Sequence, residues 1–136
     1  MKKKVLFLCT NNSCRSQMAE GILRHLRSDA FEVFSAGTNP SVINSKAIHV
    51  MSEIGIDISG HKSKSVQEFL DWDFDYIITV CDSAKESCPV FTKGAQFIHW
   101  SFIDPAGVKG TEEKILPVFR KVRDEIKTKT NELFGK

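Results

Sequence analysis

Residues 5–16 read VLFLCTNNSCRS, an apolar run that stops at a cysteine and continues as small polar residues. The run at positions 5–8 has the length and composition of a short buried strand. Apolar side chains then recur at helical spacing, at Met18, Ile22, Leu23 and Leu26. A strand, a polar loop and an amphipathic helix in this order are the first half of a parallel α/β unit.

The same alternation of strand and helix continues along the chain. Further strands are predicted at residues 32–35, 76–80 and 96–100, and further helices at residues 47–54, 66–70 and 115–134. Gly55 is expected to end the second helix, and Pro117 to lie in the first turn or so of the last one. The elements predict an α/β fold in which a small parallel sheet of about four strands, in flavodoxin-like order, has helices on both faces. Residues 1–136 are expected to form a single domain.

Composition and charge exclude several classes of protein. The chain has 136 residues, 41% apolar and 26% charged, which is typical of a globular domain and not of a disordered or collagen-like chain. Its formal net charge of +2 does not favour nucleic-acid binding. No apolar run reaches the length of a signal-peptide core or a membrane span. We therefore expect a cytoplasmic protein without nucleic-acid or membrane partners, and we expect it to be monomeric.

The loop after the first predicted strand has the residues of an oxyanion site. It consists of Cys9, Thr10, Asn11, Asn12, Ser13, Cys14, Arg15 and Ser16. Backbone N–H groups of such a loop, from Thr10 to Arg15, and the positive end of the following helix can converge on one tetrahedral anion. Arg15 can hold two of the oxygens with its planar guanidinium. The same field favours the thiolate form of Cys9, and Ser16 is placed to donate a hydrogen bond to it.

The predicted topology brings further reactive residues to the same edge of the sheet. Ligands of parallel α/β sheets bind at the carboxyl ends of the strands. Cys9 follows the first strand, Cys81 follows the third, and Asp104 comes shortly after the fourth. In flavodoxin-like order the first and third strands are neighbours, so Cys9 and Cys81 should lie close together. In the alternative interpretation, Cys9 is an unreactive buried thiol and Arg15 a solvated helix residue.

The other cysteines leave open which chemistry the loop supports. A cytoplasmic chain of this size needs no disulfide to fold, so Cys81 and Cys88 are candidates for redox chemistry. The segment between them is small and polar and precedes Pro89, as expected of a flap that can move. Cys14 is interpreted as structural, contributing only its backbone N–H to the anion site. Two alternatives stay open: the pair are buried core side chains, or the four cysteines hold zinc, which their spacing fits poorly. No metal is expected.

These motifs resemble a known family. Cys9 to Ser16, with Asp104-Pro105 downstream, is similar to the low-molecular-weight protein tyrosine phosphatase superfamily over nearly the whole chain. Within it the chain resembles the thioredoxin-coupled arsenate reductases, through CT at 9–10, NSCRSQMAEG at 12–21, SAG at 35–37, GIDIS at 55–59, DPA at 104–106 and the Cys81/Cys88 pair. Phosphatases of the superfamily commonly have tyrosine where this chain has Ala106, so a small inorganic oxyanion is the expected substrate.

The resemblance implies that three cysteines reduce arsenate to arsenite for arsenic detoxification. Cys9 attacks arsenate, and water leaves with a proton from Asp104. Cys81 then attacks Cys9 and arsenite departs, after which Cys88 attacks Cys81. Reduced thioredoxin opens the final disulfide, and no bound cofactor is implied. The alternatives are a phosphatase that hydrolyses phosphate monoesters and a redox or oxyanion sensor without turnover.

Two positions depart from the pattern of relatives. Asn11 stands where relatives often have glycine, and asparagine tolerates left-handed backbone. Some relatives bind potassium through residues that match Asn12, Glu20, Ser35 and an acidic position. Lys64 occupies that last position here. Because its ammonium can supply the missing charge, we expect no potassium requirement.

Other polar and aromatic residues give weaker signals. His25, His49, His61 and His99 are expected at the surface or as caps, Trp72 and Trp100 in or near the core, and Asp71, Asp73 and Asp75 in a solvated loop.

Overall fold

The computed structural model describes residues 2–80 and 95–135. Its strands are β1 (Lys3–Cys9), β2 (Phe31–Gly37), β3 (Tyr76–Thr79) and β4 (Gln96–His99). The α-helices within these residues are α1 (Arg15–Arg27), α2 (Ser45–Ser52) and α3 (Glu112–Phe134), and two short 3-10 helices are Val66–Phe69 and Pro105–Gly107. Cys81 and Cys88 lie outside the described residues, so what the sequence predicts for them and for the segment between them stays a prediction.

The described strands form one parallel sheet in the order β2-β1-β3-β4, which confirms the predicted fold. β1 lies between two neighbours, with Cys9 opposite Gly37 of β2 and Leu8 opposite Thr79 of β3. Val80, directly after β3, donates its N–H to the Leu8 carbonyl at 2.8 Å. The carboxyl ends of β1 and β3 are therefore side by side. That residues 1–136 form a single domain stays a prediction.

β1 is the buried centre of the sheet. Leu6, Phe7 and Leu8 have no exposed surface, and burying each such side chain stabilises the fold by about 1.5–3 kcal/mol. A parallel strand that is covered on both faces carries apolar residues without alternation. This explains the unbroken apolar run at positions 5–8.

Helical segments cover both faces of the sheet, as predicted. Phe31 and Phe34 are three residues apart in β2, so their side chains point to opposite faces. Phe31 contacts Phe134 at the end of α3, with ring centroids 4.9 Å apart. Phe34 contacts Phe69 of the first 3-10 helix, with centroids 5.9 Å apart. On the α3 face, α1 packs against α3.

The helix boundaries depart from the prediction in two places. α2 ends at Ser52, and Gly55 follows with φ of +78°, in the left-handed region that glycine favours. Pro117 lies in the second turn of α3 and not in its first. Proline has no N–H, so the helical hydrogen bond to the Glu113 carbonyl is missing. Because Pro117 and Glu113 are both exposed, water can bind this carbonyl instead. No helix among the described residues is long and apolar enough to cross a bilayer.

One loop residue has a structural role that the sequence did not indicate. The carboxylate of Asp75 accepts a hydrogen bond from the Lys4 N–H at 2.8 Å, which fastens the segment before β3 to β1. The other two aspartates of this loop are exposed, as predicted. Trp100 is buried against Phe7, whereas Trp72 keeps 40% of its surface exposed.

Glu53, directly after α2, joins α2 to α3. Its carboxylate accepts hydrogen bonds from Arg120, the shortest at 2.8 Å, and from Arg123 at 2.9 Å. Arg123 also donates to the Val50 carbonyl at 2.9 Å. The hydrogen bonds from Arg120, with Arg123 adding to them, lower the pKa of Glu53 to about 2.

Glu53→Gln should lower the free energy of unfolding at pH 7 but not near pH 2. A carboxylate whose folded pKa is depressed stabilises the fold above its unfolded pKa of about 4.3, and that contribution is lost as the pH falls towards 2. Urea unfolding of both proteins at pH 7, 4 and 2.5 measures the difference, with Glu132→Gln on the exposed side of α3 as the control. A difference that stays constant over this range would contradict the assignment.

Candidate active site

The polar loop runs from the carboxyl end of β1 into the first turn of α1. Cys9 is the last residue of β1, and Arg15 is the first of α1. Asn12 has φ of +48°, so the left-handed residue is Asn12 and not Asn11, for which the sequence had indicated tolerance of that conformation. Asparagine is among the residues that adopt this conformation most readily.

The segment at residues 38–44 holds the loop from outside. Its N–H groups donate to loop carbonyls in four pairs, Thr38 to Cys9, Asn39 to Thr10, Ser41 to Asn11 and Asn44 to Ser13. The carbonyl and the N–H of one trans peptide point to opposite sides. In the peptide between Asn11 and Asn12, the carbonyl faces Ser41, and the N–H on the opposite side points at the Cys9 sulfur, 3.2 Å away. The segment therefore turns the amide side of the loop towards Cys9.

Cys9 is almost fully buried, with 3% of its surface exposed. Its sulfur lies 2.8 Å from the Ser16 hydroxyl, the contact predicted from the sequence, and 3.2 Å from the Asn12 N–H. Ser16 and Asn12 are themselves fully buried. These donors suit a thiolate more than a neutral thiol.

Arg15 and Asp104 meet at the same cavity. The Arg15 guanidinium donates to the Phe102 carbonyl at 2.9 Å and lies 3.6 Å from the Asp104 carboxylate. Asp104 caps the second 3-10 helix by accepting the Ala106 N–H at 3.0 Å, and half of its side chain is exposed. The carboxyl group therefore stands at the rim, where it can exchange a proton with a bound molecule.

The cavity has a volume of about 580 Å³ and opens to solvent. It is lined by Cys9, Thr10, Asn11, Ser13, Cys14, Arg15, Phe102, Ile103, Asp104 and Ala106. Among the predicted site residues that the structure describes, Asn12 and Ser16 are fully buried and are not part of this lining. Of the lining residues that the structure describes, Phe102 is aromatic, and Ala106 leaves its own part of the rim without a ring.

Cys14 does not resemble a second nucleophile. Its thiol is 5% exposed. Burial raises its pKa, and the neighbouring charges of Asp104 and Cys9 raise it further. The thiol therefore stays protonated at neutral pH, which supports the interpretation of Cys14 as structural.

The described residues also contain no group of three His, Cys, Asp or Glu side chains that could hold a metal ion.

A cluster of charged residues lies behind the loop. The buried Glu20 carboxylate accepts a hydrogen bond from the Ser35 hydroxyl. It forms ion pairs with Arg24 at 2.7 Å and with Lys64 at 3.8 Å. The Lys64 ammonium thus lies beside Glu20, and that it makes potassium unnecessary stays a prediction.

His61 belongs to this cluster and is only partly exposed, whereas the sequence predicted a surface or capping position. Its Nδ1 lies 2.9 Å from Gln17 Oε1 and 3.9 Å from Glu20. Burial lowers the pKa of His61, while Glu20 opposes that shift and Arg24 adds to it. No pattern in the sequence indicated this position, because the partners of His61 lie on α1, more than thirty positions away.

Gly37 and Gln17 are site residues that the sequence did not single out. A Cβ on Gly37 would stand 2.5 Å from the Thr10 carbonyl oxygen and 2.8 Å from the Asn12 nitrogen, so only glycine fits beside the loop. The signal for Gly37 is the SAG stretch, which carries part of the family resemblance. Gln17 is fully buried and contacts Asn12, whereas glutamine is more often exposed.

Comparison with known proteins identifies the family. Residues 4–136 match the family described as low molecular weight phosphotyrosine protein phosphatase. The chain belongs to that family. An arsenate reductase of Shouchella clausii is 46% identical over 125 residues, which cover 92% of this chain and 90% of that protein. A solved arsenate reductase in an oxidised state has a TM-score of 0.82 and 37% identity, over 96% of this chain and 95% of the other.

Two further solved structures that are similar to this chain have names with different activities. The low molecular weight protein tyrosine phosphatase of T. tengcongensis has a TM-score of 0.81 and 30% identity, and 97% of each chain is covered. A thioredoxin-dependent arsenate reductase from Corynebacterium glutamicum has a TM-score of 0.73 and 27% identity, over 98% of this chain and 60% of that one. The resemblance inferred from the sequence is confirmed.

Gly37→Ala should weaken oxyanion binding at the family's loop by about tenfold or more. The added methyl group must push the Thr10 and Asn12 peptides inward, and about 1.4 kcal/mol of lost binding corresponds to a factor of ten. Calorimetric titration with sulfate measures the effect. Gly60→Ala is the control, because a Cβ there meets nothing within 4 Å. Equal affinity in both variants would show that the loop tolerates the displacement.

Potassium should not stabilise this member of the phosphatase family, because the Lys64 ammonium already neutralises Glu20. We expect equal thermal midpoints in KCl and NaCl at matched ionic strength. Lys64→Asp should acquire a higher midpoint in KCl, since a bound ion stabilises the folded state by mass action. Lys62→Asp, at an exposed neighbouring position, controls for the charge change. A potassium effect on the unmodified protein would overturn this expectation.

Proposed function

We propose that the chain is a thioredoxin-dependent arsenate reductase that acts in arsenic detoxification, as a cytoplasmic monomer. The observation that carries the proposal is the buried Cys9 sulfur, which faces donors from Ser16 and Asn12 in a cavity shared with Arg15 and Asp104. The arsenate reductases among its relatives support arsenate as the substrate. The relative from Corynebacterium glutamicum supports thioredoxin as the reductant.

The first step forms a bond between sulfur and arsenic. The Cys9 thiolate attacks the arsenic atom of arsenate, whose oxygens would be held by Arg15 and by the N–H groups of the loop from Thr10 to Cys14. Asp104 gives its proton to a departing oxygen, which leaves as water. The arsenic remains in its +5 state in this covalent adduct. A nucleophile and a separate acid at one cavity are what this step requires.

The second step transfers two electrons to arsenic. The Cys81 thiolate attacks the Cys9 sulfur, and the electron pair of the sulfur–arsenic bond leaves with arsenic, which departs as arsenite in its +3 state. A Cys9–Cys81 disulfide remains. The parallel pairing of β1 and β3 supports this step, because Cys81 follows Val80 at the carboxyl end of β3.

The remaining steps restore the enzyme by thiol–disulfide exchange. The Cys88 thiolate attacks Cys81, which releases Cys9 as a thiolate and leaves a Cys81–Cys88 disulfide. The dithiol of reduced thioredoxin then reduces that bond and is itself oxidised. Each turnover therefore consumes one thioredoxin dithiol and yields one arsenite.

A phosphatase that hydrolyses phosphate monoesters is the second candidate. The loop, the nucleophile and the acid would serve both reactions, and the phosphatase of T. tengcongensis shares the fold at 30% identity. Two features of this chain favour the reductase. Ala106 adds no ring to the rim of the cavity, and hydrolysis has no use for Cys81 and Cys88.

Arsenate-dependent NADPH consumption with thioredoxin and thioredoxin reductase tests the proposal. We expect sustained consumption, with one arsenite released per NADPH. Cys9→Ser, Cys81→Ser and Cys88→Ser should each reduce it to background, because each removes one sulfur of the relay. Hydrolysis of p-nitrophenyl phosphate is the matched control: Cys9→Ser should abolish it, and the other two variants should keep whatever hydrolysis the unmodified protein has.

The outcomes separate the two candidates. If the protein gave no arsenite but hydrolysed the phosphate ester, and neither Cys81→Ser nor Cys88→Ser affected that hydrolysis, the phosphatase would replace the reductase. A single turnover without further consumption would indicate a sensor. Sedimentation velocity on the reduced protein tests the monomeric state.

A further inference from the structure

We propose that Gln17 is a positioning residue for the Cys9 nucleophile. By holding Asn12 from behind, the Gln17 amide directs two hydrogen-bond donors at the Cys9 sulfur. The inference rests on the proposed function, since it takes Cys9 as the reacting group. It concerns the free enzyme, however, and can be tested without arsenate or thioredoxin.

The orientation of the Gln17 amide is fixed by its surroundings. Its Nε2 atom lies 3.2 Å from the Asn12 carbonyl oxygen, 2.9 Å from Asn12 Oδ1 and 2.9 Å from the Lys62 carbonyl oxygen. Two of these are main-chain carbonyls, which only accept, so a nitrogen must occupy this position. Its Oε1 atom then accepts from His61 Nδ1 at 2.9 Å. All four contacts are made by one side chain without exposed surface.

Gln17 in turn supports the orientation of the Asn12 side chain. Asn12 Oδ1 accepts from the Lys64 backbone N–H at 2.8 Å as well as from Gln17. A backbone N–H can only donate, so the oxygen end of the Asn12 amide faces these two groups. The Asn12 Nδ2 group must therefore donate to the Ser16 hydroxyl oxygen, 2.8 Å away.

The hydrogen bond from Asn12 to Ser16 bears on which way the Ser16 hydroxyl points. Its oxygen accepts from Asn12, which leaves its one proton available to the Cys9 sulfur at 2.8 Å. A hydroxyl that donates to sulfur stabilises the thiolate, whereas a hydroxyl that accepts would stabilise the thiol. Donors in such a chain strengthen one another. Gln17 thus favours the reactive form of Cys9 without touching it.

Gln17 also holds the backbone of Asn12. The left-handed conformation of Asn12 costs free energy that neighbouring contacts must offset. Gln17 binds the Asn12 carbonyl oxygen on one side, and the Asn12 N–H points at the Cys9 sulfur on the other. Losing the amide therefore disturbs both donors to the sulfur.

Alkylation of Cys9 by iodoacetamide between pH 4 and 9 tests this role. The reduced protein carries Cys81→Ser and Cys88→Ser, and peptide mass spectrometry assigns the alkyl group to Cys9 or Cys14. Gln17→Met keeps the length of the side chain but removes every polar contact. We expect the midpoint of the pH profile to rise by about one pH unit, which corresponds to one hydrogen bond to a charged group. Gln67→Met, at an exposed position, should leave the profile unchanged.

The same substitution in a protein that already carries Ser16→Ala separates positioning from a general loss of structure. Ser16→Ala by itself should raise the midpoint of the pH profile for Cys9 alkylation. Added to Ser16→Ala, Gln17→Met should have a clearly smaller effect than alone, because no hydroxyl remains to be directed. Fully additive effects would overturn the proposal, as would an unchanged profile in a folded Gln17→Met protein. If Gln17→Met does not fold, Gln17→Leu replaces it, since it also lacks a donor to Asn12.

The role of Gln17 and the proposed function can fail separately. A shifted profile in a protein that consumes no NADPH with arsenate would retain the role of Gln17 and reject the reductase. An unshifted profile in an active reductase would reject the role of Gln17 and retain the reductase. In an active reductase, Gln17→Met should lower arsenate turnover at pH 6 by several-fold and recover part of the loss at pH 8, where more of Cys9 is ionised.

Discussion

A sulfur atom with almost no exposure to solvent can carry a negative charge only if protein groups replace the water around it. Around Cys9 this requirement is met by the hydroxyl of Ser16 and the backbone N–H of Asn12. Both donors depend on further groups: residues 38–44 bind the carbonyls of the loop that carries the Asn12 N–H, and the Asn12 side chain donates to the Ser16 hydroxyl. The absence of a side chain at Gly37 allows the loop to approach β2. The position of one sulfur thus constrains residues in several elements.

The charged cluster behind the loop supports it from the opposite side. Glu20 is buried, and such a carboxylate needs cations or donors around it. Arg24 and Lys64 supply the cations, and Ser35 of β2 supplies a donor. Glu20 belongs to α1 and Ser35 to β2, so this cluster joins the helix that follows the loop to the strand that pairs with β1. His61 lies 3.9 Å from Glu20, contacts Gln17 and has a pKa that burial lowers.

The solved structures similar to this chain include both a low molecular weight protein tyrosine phosphatase and arsenate reductases. A cysteine that attacks a tetrahedral oxyanion, an arginine and an acid are sufficient for the first step of either phosphate hydrolysis or arsenate reduction. The second step differs according to whether another thiol can reach the first. The parallel pairing of β1 with β3 places Val80 beside Leu8, next to the loop. Cys81 is the next residue in the sequence, which agrees with the proposed redox chemistry.

The sequence by itself determined the alternation of strands and helices, the anion loop and the residues Cys9, Arg15 and Asp104, because each depends on a local pattern, whereas the expected strand order needed the structure to establish it. An unbroken apolar run specifies a strand covered on both faces, and the spacing of a cysteine and an arginine between strand and helix specifies the loop. Only the tertiary structure assigned roles to Gln17, His61 and the residues around them. Hydrogen bonds between groups far apart in the chain leave no periodic signal, and their direction is fixed only when donors and acceptors are seen together.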